Sequence, residues 1–475
     1  MLAHRFSIVL AAVAAIAPAL AGATTLSVPS GSYPTIASAL AAANASDVIE
    51  VSAGTYSEAA MLSVTDDNLT IRAVGGVVTI NAPSSADSVI EVLANGVVFE
   101  GLTITRPTAD TDWRRSVQVG GGSLTLTNCD IQGPGNSVGV ILFHGTDLTA
   151  TGTTFGNFNS SAGWAAAIFM QGSLGDYTNV VLDNCTFTSG CTGWIKTFGG
   201  DVPKVGNISV TNCEFQAATG SQAIFFAPNT VYDPTATLTF EDCQFTGTNL
   251  ETAEFHYTSA GGPASLAFRR CVFNAYNGNR RVMYVDIPCP ITFENVAWLG
   301  GQHETLIRFW GGPADVTFNH CTLVNDGVSS ATSASGTDQS TLIDGWDGGG
   351  RTFTLRNCLL YTPASYTAAI VGDPGSGASR VYDIDYTIID SGAATSSGPV
   401  SLMAGGNFSD TATILFVNPA VHDFEPQLSS PGVDEGTDLG ITTDVLGRTR
   451  PSGSNPDFGA YEVQQGSAVI NWEMF

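Results

Sequence analysis

Residues with acid–base chemistry recur in the second half of this chain. His256, Tyr284 and Arg308 follow one another at nearly equal intervals, and Glu254 stands two residues before the histidine. Histidine and tyrosine can take up or release a proton during a reaction, and arginine can stabilise the charge of an enolate-like intermediate. We therefore assign His256, Tyr284 and Arg308 as candidate catalytic residues, with His256 or Tyr284 as base and Tyr284 as acid.

Aromatic and charged residues recur in the same segments and suit the binding of sugars. Aromatic rings offer flat apolar area, while lysine or arginine can pair with a carboxylate or sulfate. The residues assigned to substrate binding are Trp194, Lys196, Phe198, Phe225, Glu254, Asp286, Trp310, Asp344 and Trp346. Alternatively, these rings pack beneath long turns and bind nothing.

The segments that carry these residues resemble one another and read as strands. They are VILFHG, AIFMQG, WIKTFG, AIFFAP, EFHYTS, VMYVDI, LIRFWG and LIDGWD. If the second residue of every segment points inward, which is isoleucine in six segments and Phe255 and Met283 in the other two, the next residue points outward. The predicted outward column is Leu142, Phe169, Lys196, Phe225, His256, Tyr284, Arg308 and Asp344. Because neighbouring strands are about 4.8 Å apart, the three candidate catalytic residues should lie within about 10 Å.

A second repeated segment ends in cysteine seven times and defines the fold. The segments are LTLTNCDI, VVLDNCTF, ISVTNCEF, LTFEDCQF, LAFRRCVF, VTFNHCTL and FTLRNCLL, with Cys129, Cys185, Cys213, Cys243, Cys271, Cys321 and Cys358. Alternation of apolar and polar residues between Gly, Asn and Asp turns predicts short strands. Such a period predicts an all-β solenoid, a single parallel β-helix of about 12 coils.

The seven cysteines are predicted to form a row of buried thiols. Equivalent residues stack about 4.8 Å apart, but parallel side chains keep their Cβ atoms too far apart for comfortable disulfide geometry. The residue before the cysteine is often Asn or Asp, which tolerates a left-handed backbone. Cys191 and Cys289 fall outside this row and receive no role.

The N-terminus and the charge indicate an exported, acidic protein. Residues 1–23 combine a basic start, an apolar stretch and small residues, which predicts a signal peptide and a secreted, extracellular or cell-surface location. No later segment is apolar enough to span a membrane. The formal charge of −26 argues against nucleic acid as a partner. No cofactor is required by the sequence; calcium is compatible with it, but no metal ligands are assigned, because the acidic groups lack calcium-loop spacing.

The two ends of the chain depart from the repeat. Residues 24–58 are predicted to form an N-terminal cap and first coil, with a helix within Tyr33 to Ala45. Residues 59–409 form the β-helix. Residues 410–475 lose the period and are richer in Pro, Asp and Gly, which predicts an irregular segment that covers the other end.

Two segments carry a resemblance to known proteins. SGSYPTIASALAAANASDVIEVSAGTYSE, from Ser30 to Glu58, resembles the opening of secreted right-handed parallel β-helix proteins of the pectate-lyase-like superfamily. DVLGRTRPSGSNPDFGAYE, from Asp444 to Glu462, resembles the closing segment of bacterial surface β-helix proteins of the choice-of-anchor Q type. The resemblance implies a right-handed coil and export. The superfamily includes lyases, hydrolases and esterases of acidic polysaccharides, but this chain lacks the polygalacturonase and pectin methylesterase motifs.

Three functions therefore remain open. The first is an extracellular protein that binds or adheres to polysaccharide, acidic by preference, without cleaving it. The second is a polysaccharide lyase or hydrolase that uses the same face. The third is a structural protein of a surface layer or fibre, for which self-association would be required. Activity on acidic glycans separates the second from the first, and ordered polymers would indicate the third.

Overall fold

The structure is a computed structural model that covers most of the chain. It describes residues 22–81, 85–106, 114–135, 137–143, 145–158, 165–172, 176–197, 202–216, 224–246, 253–256, 261–275, 281–300, 305–310, 314–325, 341–345, 351–362, 371–372, 380–391, 396–397 and 400–465. Nearly all of the predicted signal, residues 1–23, therefore lies outside the described residues. Phe198 and Trp346 lie outside them as well.

The described chain forms a parallel β-helix, as the repeats predict. One sheet of 13 parallel strands contains one strand of each coil. Its strands are Leu62–Val64, Ser88–Val92, Arg114–Val119, Ser137–Phe143, Ala166–Gln171, Ile195–Thr197, Ile224–Phe226, Ala253–Phe255, Arg281–Val285, Thr305–Phe309, Thr341–Gly345, Val371–Gly372 and Ser396–Ser397. We call this the 13-stranded sheet; it carries the candidate site.

The remaining strands of the coils form a second parallel sheet, of 26 strands in the described residues, which bends at a corner. They are Thr25–Val28, Val48–Ser57, Thr70–Asn81, Val97–Glu100, Leu102–Thr105, Ser123–Thr127, Asp130–Gly135, Asp147–Thr151, Thr154–Phe158, Thr178–Asp183, Thr186–Phe187, Lys204–Thr211, Glu214–Phe215, Val231–Tyr232, Thr237–Glu241, Gln244–Thr246, Ser265–Arg269, Val272–Ala275, Ile291–Glu294, Ala297–Gly300, Val316–Asn319, Thr322–Asn325, Thr352–Tyr361, Arg380–Asp390, Val400–Ala404 and Phe408–Ser409.

A left-handed residue makes the corner of this sheet in successive coils. Asn184 and Asn212 have φ of 52° and 54° there, and Asn357 has 53°. A left-handed backbone places Cβ near the following carbonyl, and asparagine tolerates this better than most residues. The turn aims the next side chain, usually the cysteine, into the core. The Asn-Cys pair of the repeat is therefore a corner signal, as the sequence indicates.

The cysteines lie inside the solenoid as free thiols. All nine are buried, including Cys191 and Cys289. The Sγ atoms of Cys129 and Cys271 donate to the carbonyl oxygens of Phe99 and Phe240 on the preceding coil, each at 3.4 Å. Burial raises the pKa of the Cys129 thiol to about 11. The predicted row of buried thiols is confirmed.

Aromatic rings stack in register through the core. Phe155, Phe187, Phe215, Phe245 and Phe273 lie on successive coils, with neighbouring ring centroids 4.9, 4.5, 4.7 and 4.5 Å apart. Such offset stacks add stability beyond the apolar area that they bury. This row keeps successive coils in one register over the part of the solenoid that carries the candidate site.

A short helix packs against the first coils. It spans Ile36–Leu40, and the Thr35 hydroxyl accepts from the backbone N–H of Ser38 at 3.1 Å. The Ser38 hydroxyl in turn accepts from the backbone N–H of Thr35 at 3.1 Å, which completes a capping box. Ile36 and Ala39 are buried in the main core. The predicted N-terminal helix is present, within the predicted limits but shorter.

The C-terminal segment, residues 410–465, lies along the flank of the last coils. It contains an antiparallel hairpin, Phe416–Asn418 with Asp423–Pro426, and the short 3₁₀ turn Pro419–Val421. An apolar cluster joins this segment to outward residues of four coils. Its buried members are Ala297, Leu299, Val324, Leu359, Ile388, Ile414, Phe416, Phe424, Val445, Phe458, Ala460 and Tyr461. These contacts lie on the flank of the coils, and cover of the open end stays a prediction. We call residues 410–465 the clasp.

The clasp bonds to the left-handed corner residues of the coils beneath it. Asn295 Nδ2 donates to the carbonyl oxygen of Thr443 at 2.6 Å. The Asn357 side chain both donates to the Thr437 carbonyl, at 2.7 Å, and accepts from its N–H, at 3.0 Å. The clasp backbone thus pairs with Asn295 Nδ2 and with both ends of the Asn357 amide, which fixes the register of the clasp along the flank.

A buried ion pair holds the clasp together. Arg450 Nε lies 3.3 Å from Glu462 Oε2, and neither side chain is exposed. The Glu462 carboxylate also accepts from the backbone N–H groups of Ser452 and Asp457, at 2.7 and 3.0 Å. Burial lowers the pKa of Arg450 to about 10, against the attraction of Glu462 and Asp457.

The native protein should not react with a thiol reagent, because its nine thiols are buried and thiolate is the reactive form. After unfolding without reductant, all nine should react. Spectrophotometric thiol titration checks both values. Fewer than nine reactive thiols in the unfolded protein would indicate disulfides.

Arg450→Met should destabilise the protein by about 3 kcal/mol, because it leaves the Glu462 carboxylate buried without its partner. Urea denaturation measures the change. The control is Arg72→Met, since Arg72 pairs with Glu50 at the surface and its loss should matter far less. Equal effects of the two substitutions would show that the buried pair does not hold the clasp.

Candidate functional site

The strand register of the 13-stranded sheet decides which side chains share a column. Pairing runs from Lys196 to Phe225, then to Glu254, Tyr284 and Arg308. Glu254 therefore occupies the place in this column that the sequence alignment gives to His256. At the upstream end, Ile141 takes the place of Leu142, because Ile141 pairs with Phe169.

The strand Ala253–Phe255 explains why Glu254, and not His256, lies in this column. Ala253 is the inward residue that pairs with Ile224 and Met283. Phe255, two residues after Ala253, also points inward and is fully buried. The alignment matched the large Phe255 to the isoleucines of other coils, whereas a small alanine fills that place. Aligning Phe255 with these isoleucines displaces the segment EFHYTS by two residues relative to the observed register.

His256 belongs to a second outward row, which continues the strands at their C-terminal ends. Its N–H donates to the Phe226 carbonyl at 3.1 Å. In the following coils, the N–H of Asp286 donates to Phe255 at 2.7 Å, and that of Trp310 donates to Val285 at 2.8 Å. The second row therefore contains His256, Asp286 and Trp310 on successive coils.

His256 is held between two carboxylates. Its Nε2 lies 3.1 Å from Glu254 Oε2, and its Nδ1 lies 3.6 Å from Asp286 Oδ2. Burial alone would lower the pKa of His256, but the hydrogen bonds to Asp286 and Glu254 outweigh that effect and raise the pKa. The protonated ring suits this position, because each nitrogen then carries a proton that faces an acceptor.

Four aromatic rings line the surface along successive coils, and we call them the ring ladder: Phe225, His256, Tyr284 and Trp310. Neighbouring ring centroids are 5.9, 4.8 and 6.4 Å apart in that order. Trp310 is the most exposed of the four, at 36%. The ladder alternates between two outward rows, because Phe225 and Tyr284 belong to the first column whereas His256 and Trp310 belong to the second row.

Lys196, Glu254 and Arg308 are buried, unlike the rings of the ladder. Their exposed fractions are 4%, 5% and 5%. Burial lowers the pKa of Lys196 to about 8, although attraction to Glu254 opposes this shift. The Lys196 side chain folds back over Gly193, where a Cβ would overlap its Cε atom. Gly193, which the sequence analysis does not identify, is thus needed for the placement of this lysine.

The candidate residues meet only in part. His256, Tyr284 and Arg308 do lie together, since the His256 and Tyr284 rings are in contact and Tyr284 pairs with Arg308. Trp194 instead lies in the core, fully buried, with its ring centroid 5.0 Å from that of Phe215. The backbone of Asp344 pairs with Arg308, but its side chain is not among those described.

The base role assigned to His256 does not fit this geometry. A general base needs a nitrogen lone pair that faces the substrate. Both ring nitrogens of His256 instead face carboxylates, and the raised pKa favours the imidazolium, which has no lone pair to offer. The arrangement can fix the ring in the ladder, but it does not prepare a base.

The described residues contain neither a cluster of metal ligands nor a membrane-spanning helix. No group of three or more His, Cys, Asp or Glu side chains in these ranges is arranged to hold a metal ion. Among the helices of the same residues, none has both the length and the apolar character needed to cross a membrane.

Comparison with known proteins finds similarity in structure but not in sequence. No family profile matches the chain, and no curated relative matches it. A pectin methylesterase from Aspergillus niger is 16% identical, with 54% of this chain and 84% of that chain covered and a TM-score of 0.32. A pectate lyase is 11% identical over 92% and 96%, with a TM-score of 0.33. An alginate lyase from Paenibacillus is 13% identical over 82% and 99%, with a TM-score of 0.32.

Proposed function

We propose that this protein binds polysaccharide along the ring ladder and does not cleave it. The observation that carries the proposal is the run of four rings on successive coils, with centroids 4.8 to 6.4 Å apart and Trp310 exposed. Aromatic side chains at a surface offer apolar area to the CH groups of sugars at low entropic cost. The place of action is proposed to be outside the cell, to which the signal-like residues 1–23 point.

The ladder sets a direction for the bound chain. Successive rings belong to successive coils, so the ladder runs parallel to the solenoid axis and repeats at the strand spacing of about 4.8 Å. An extended pyranose chain advances by a similar distance for each sugar. A polymer that lies along the axis can therefore stack one sugar for each coil, and its affinity should grow with each further ring that it covers.

Binding without cleavage fits the state of the polar groups. Both nitrogens of His256 face carboxylates, so the ring cannot accept a proton from a sugar. Arg308 is 5% exposed and does not present its guanidinium at the surface of the sheet. Stacking requires only that the rings keep their positions, and the two carboxylates around His256 contribute to that.

Trp310→Ala should weaken polysaccharide binding about tenfold, because one stacked ring contributes about 1.4 kcal/mol. Calorimetric titration with soluble polysaccharides, with and without calcium, measures the change. Leu428→Ala is the control, since Leu428 is an exposed apolar residue of the clasp and should leave affinity unchanged. A Trp310→Ala protein that binds as tightly as the parent would exclude the ladder as the binding surface.

A lyase is the second candidate, and one observation favours it. The pKa of Lys196, lowered to about 8, would give a neutral amine near that pH, which could act as a base. Its 4% exposure argues against direct contact with a polymer. We expect no unsaturated product from uronic acid polymers, with or without calcium, by ultraviolet absorbance. Product that disappears in Lys196→Met would establish the lyase instead.

A further inference from the structure

The two ends of the solenoid differ in how the core is covered. Leu26 and Val28 of the first strand face the core and are 4% and 0% exposed, since the N-terminal helix packs against this strand. In the last coil, Leu402 pairs with the fully buried Tyr382 and so faces the core, but it is only half-buried. Among the described residues, the core is therefore closed at the N-terminal end and partly open at the C-terminal end.

The apolar surface of the open end extends over the whole last coil. Phe408 pairs with the fully buried Thr387 and is itself half-buried against the main core. Ala404 pairs with the fully buried Ile384 and is exposed. Neither Phe408 nor Leu402 belongs to the apolar cluster that the clasp covers. Contiguous apolar side chains that remain partly exposed indicate a surface that another segment covers.

The backbone of the last coil also offers a free sheet edge. The strand Val400–Ala404 pairs in parallel with Arg380–Asp390 on one side. On its other side, none of the described strands pairs with it. A free edge presents unpaired N–H and C=O groups that a further strand can join. Beside a partly open core, such an edge suits a segment that is extended and apolar on one face.

The sequence that follows the clasp has both properties. Residues 466–475, which lie outside the described ranges, read GSAVINWEMF. Ile470, Trp472 and Met474 alternate there with Asn471 and Glu473. This period of two predicts a strand with one apolar face and one polar face.

The described part of the clasp ends close to the last coils. Gln465 bonds to Asp434, whose backbone N–H donates to the Asp457 carboxylate at 2.7 Å. The ring centroid of Phe458, the next residue, lies 6.5 Å from that of Tyr386 in the last coil but one. Ten extended residues span up to about 33 Å, whereas a free edge of five residues is about 16 Å long. Residues 466–475 are therefore long enough to leave the flank and cross the open end.

We infer that residues 468–475 add a strand to the free edge of the last coil, with Ile470, Trp472 and Met474 over the open core. The occupant is the segment of the same chain, because its tether holds it at an effective concentration on the order of mM, above that of a second copy at micromolar protein. The closed end then offers no edge to a second copy, which disfavours growth into a fibre by end-to-end stacking. The inference does not depend on the binding of polysaccharide.

Hydrogen exchange measured by mass spectrometry tests the inference, with the full chain compared with a chain that ends at Gln465. The amide hydrogens of residues 400–408 that face the free edge should exchange about tenfold more slowly in the full chain, because the added strand bonds to them. The distant strand Ser123–Thr127 is the internal reference and should exchange equally in the two chains.

Two substitutions that add the same charge test which face covers the core. Trp472→Asp places a carboxylate on the apolar face and should abolish the protection of residues 400–408. Asn471→Asp adds a carboxylate to the polar face and should leave that protection unchanged. Both variants keep the full chain length, so this comparison decides the matter even if the shortened chain fails to fold.

Sedimentation velocity at two protein concentrations, combined with the exchange measurement, identifies the occupant. The inference predicts a monomer whose protection does not change with concentration. Equal exchange in the full and shortened chains, or in the Trp472→Asp and Asn471→Asp variants, would overturn it. Protection that increases with concentration, together with a dimer, would show that the segment joins a second copy and would overturn docking within one chain.

Discussion

Parallel hydrogen bonding between successive coils is the constraint on which the rest of this molecule depends. It repeats each position of the coil at one strand spacing, about 4.8 Å, so residues of one kind stack on themselves. The buried thiols, the Phe155 to Phe273 ring stack and the left-handed asparagines are all consequences. On the outward side, the same constraint brings charges close together. Lys196, Glu254 and Arg308 alternate in sign with a ring between each pair, which limits like-charge contacts.

The sequence predicts the fold well because the repeat carries its own alignment. An asparagine before an inward cysteine specifies a corner in each coil, and this is a local signal that one chain suffices to detect. Register on the 13-stranded sheet has no such marker. Ala253 is too small to be recognised as an inward residue. The sequence interpretation therefore aligns Phe255 with the inward isoleucines and places His256 in the outward column. The predicted outward position of Trp194 is wrong because the backbone bends just before the strand, where the alternation of inward and outward residues does not apply.

The packing of the clasp is not predicted by the repeat pattern of the sequence. Loss of the repeat after residue 410 predicts an irregular segment over the other end of the solenoid, but it does not predict the contacts of that segment along the flank. A signal exists in the outward residue after each corner, which changes from Thr186, Glu214 and Gln244 to Val272 and Ala297 and, beyond Thr322, to Leu359 and Ile388. An outward position that turns apolar over successive coils indicates a covered flank. The buried pair of Arg450 and Glu462 depends on two segments that fold against each other, which spacing alone does not reveal.

The account of function depends on one geometrical claim, that sugars stack on the ring ladder along the solenoid axis. A crystal structure of the protein with a bound hexasaccharide tests it most directly. The account predicts sugar rings over Trp310 and Tyr284, about one for each coil, with His256 still bonded to Glu254 and Asp286. A sugar chain that runs across the strands, or that lies on another face of the solenoid, would contradict it.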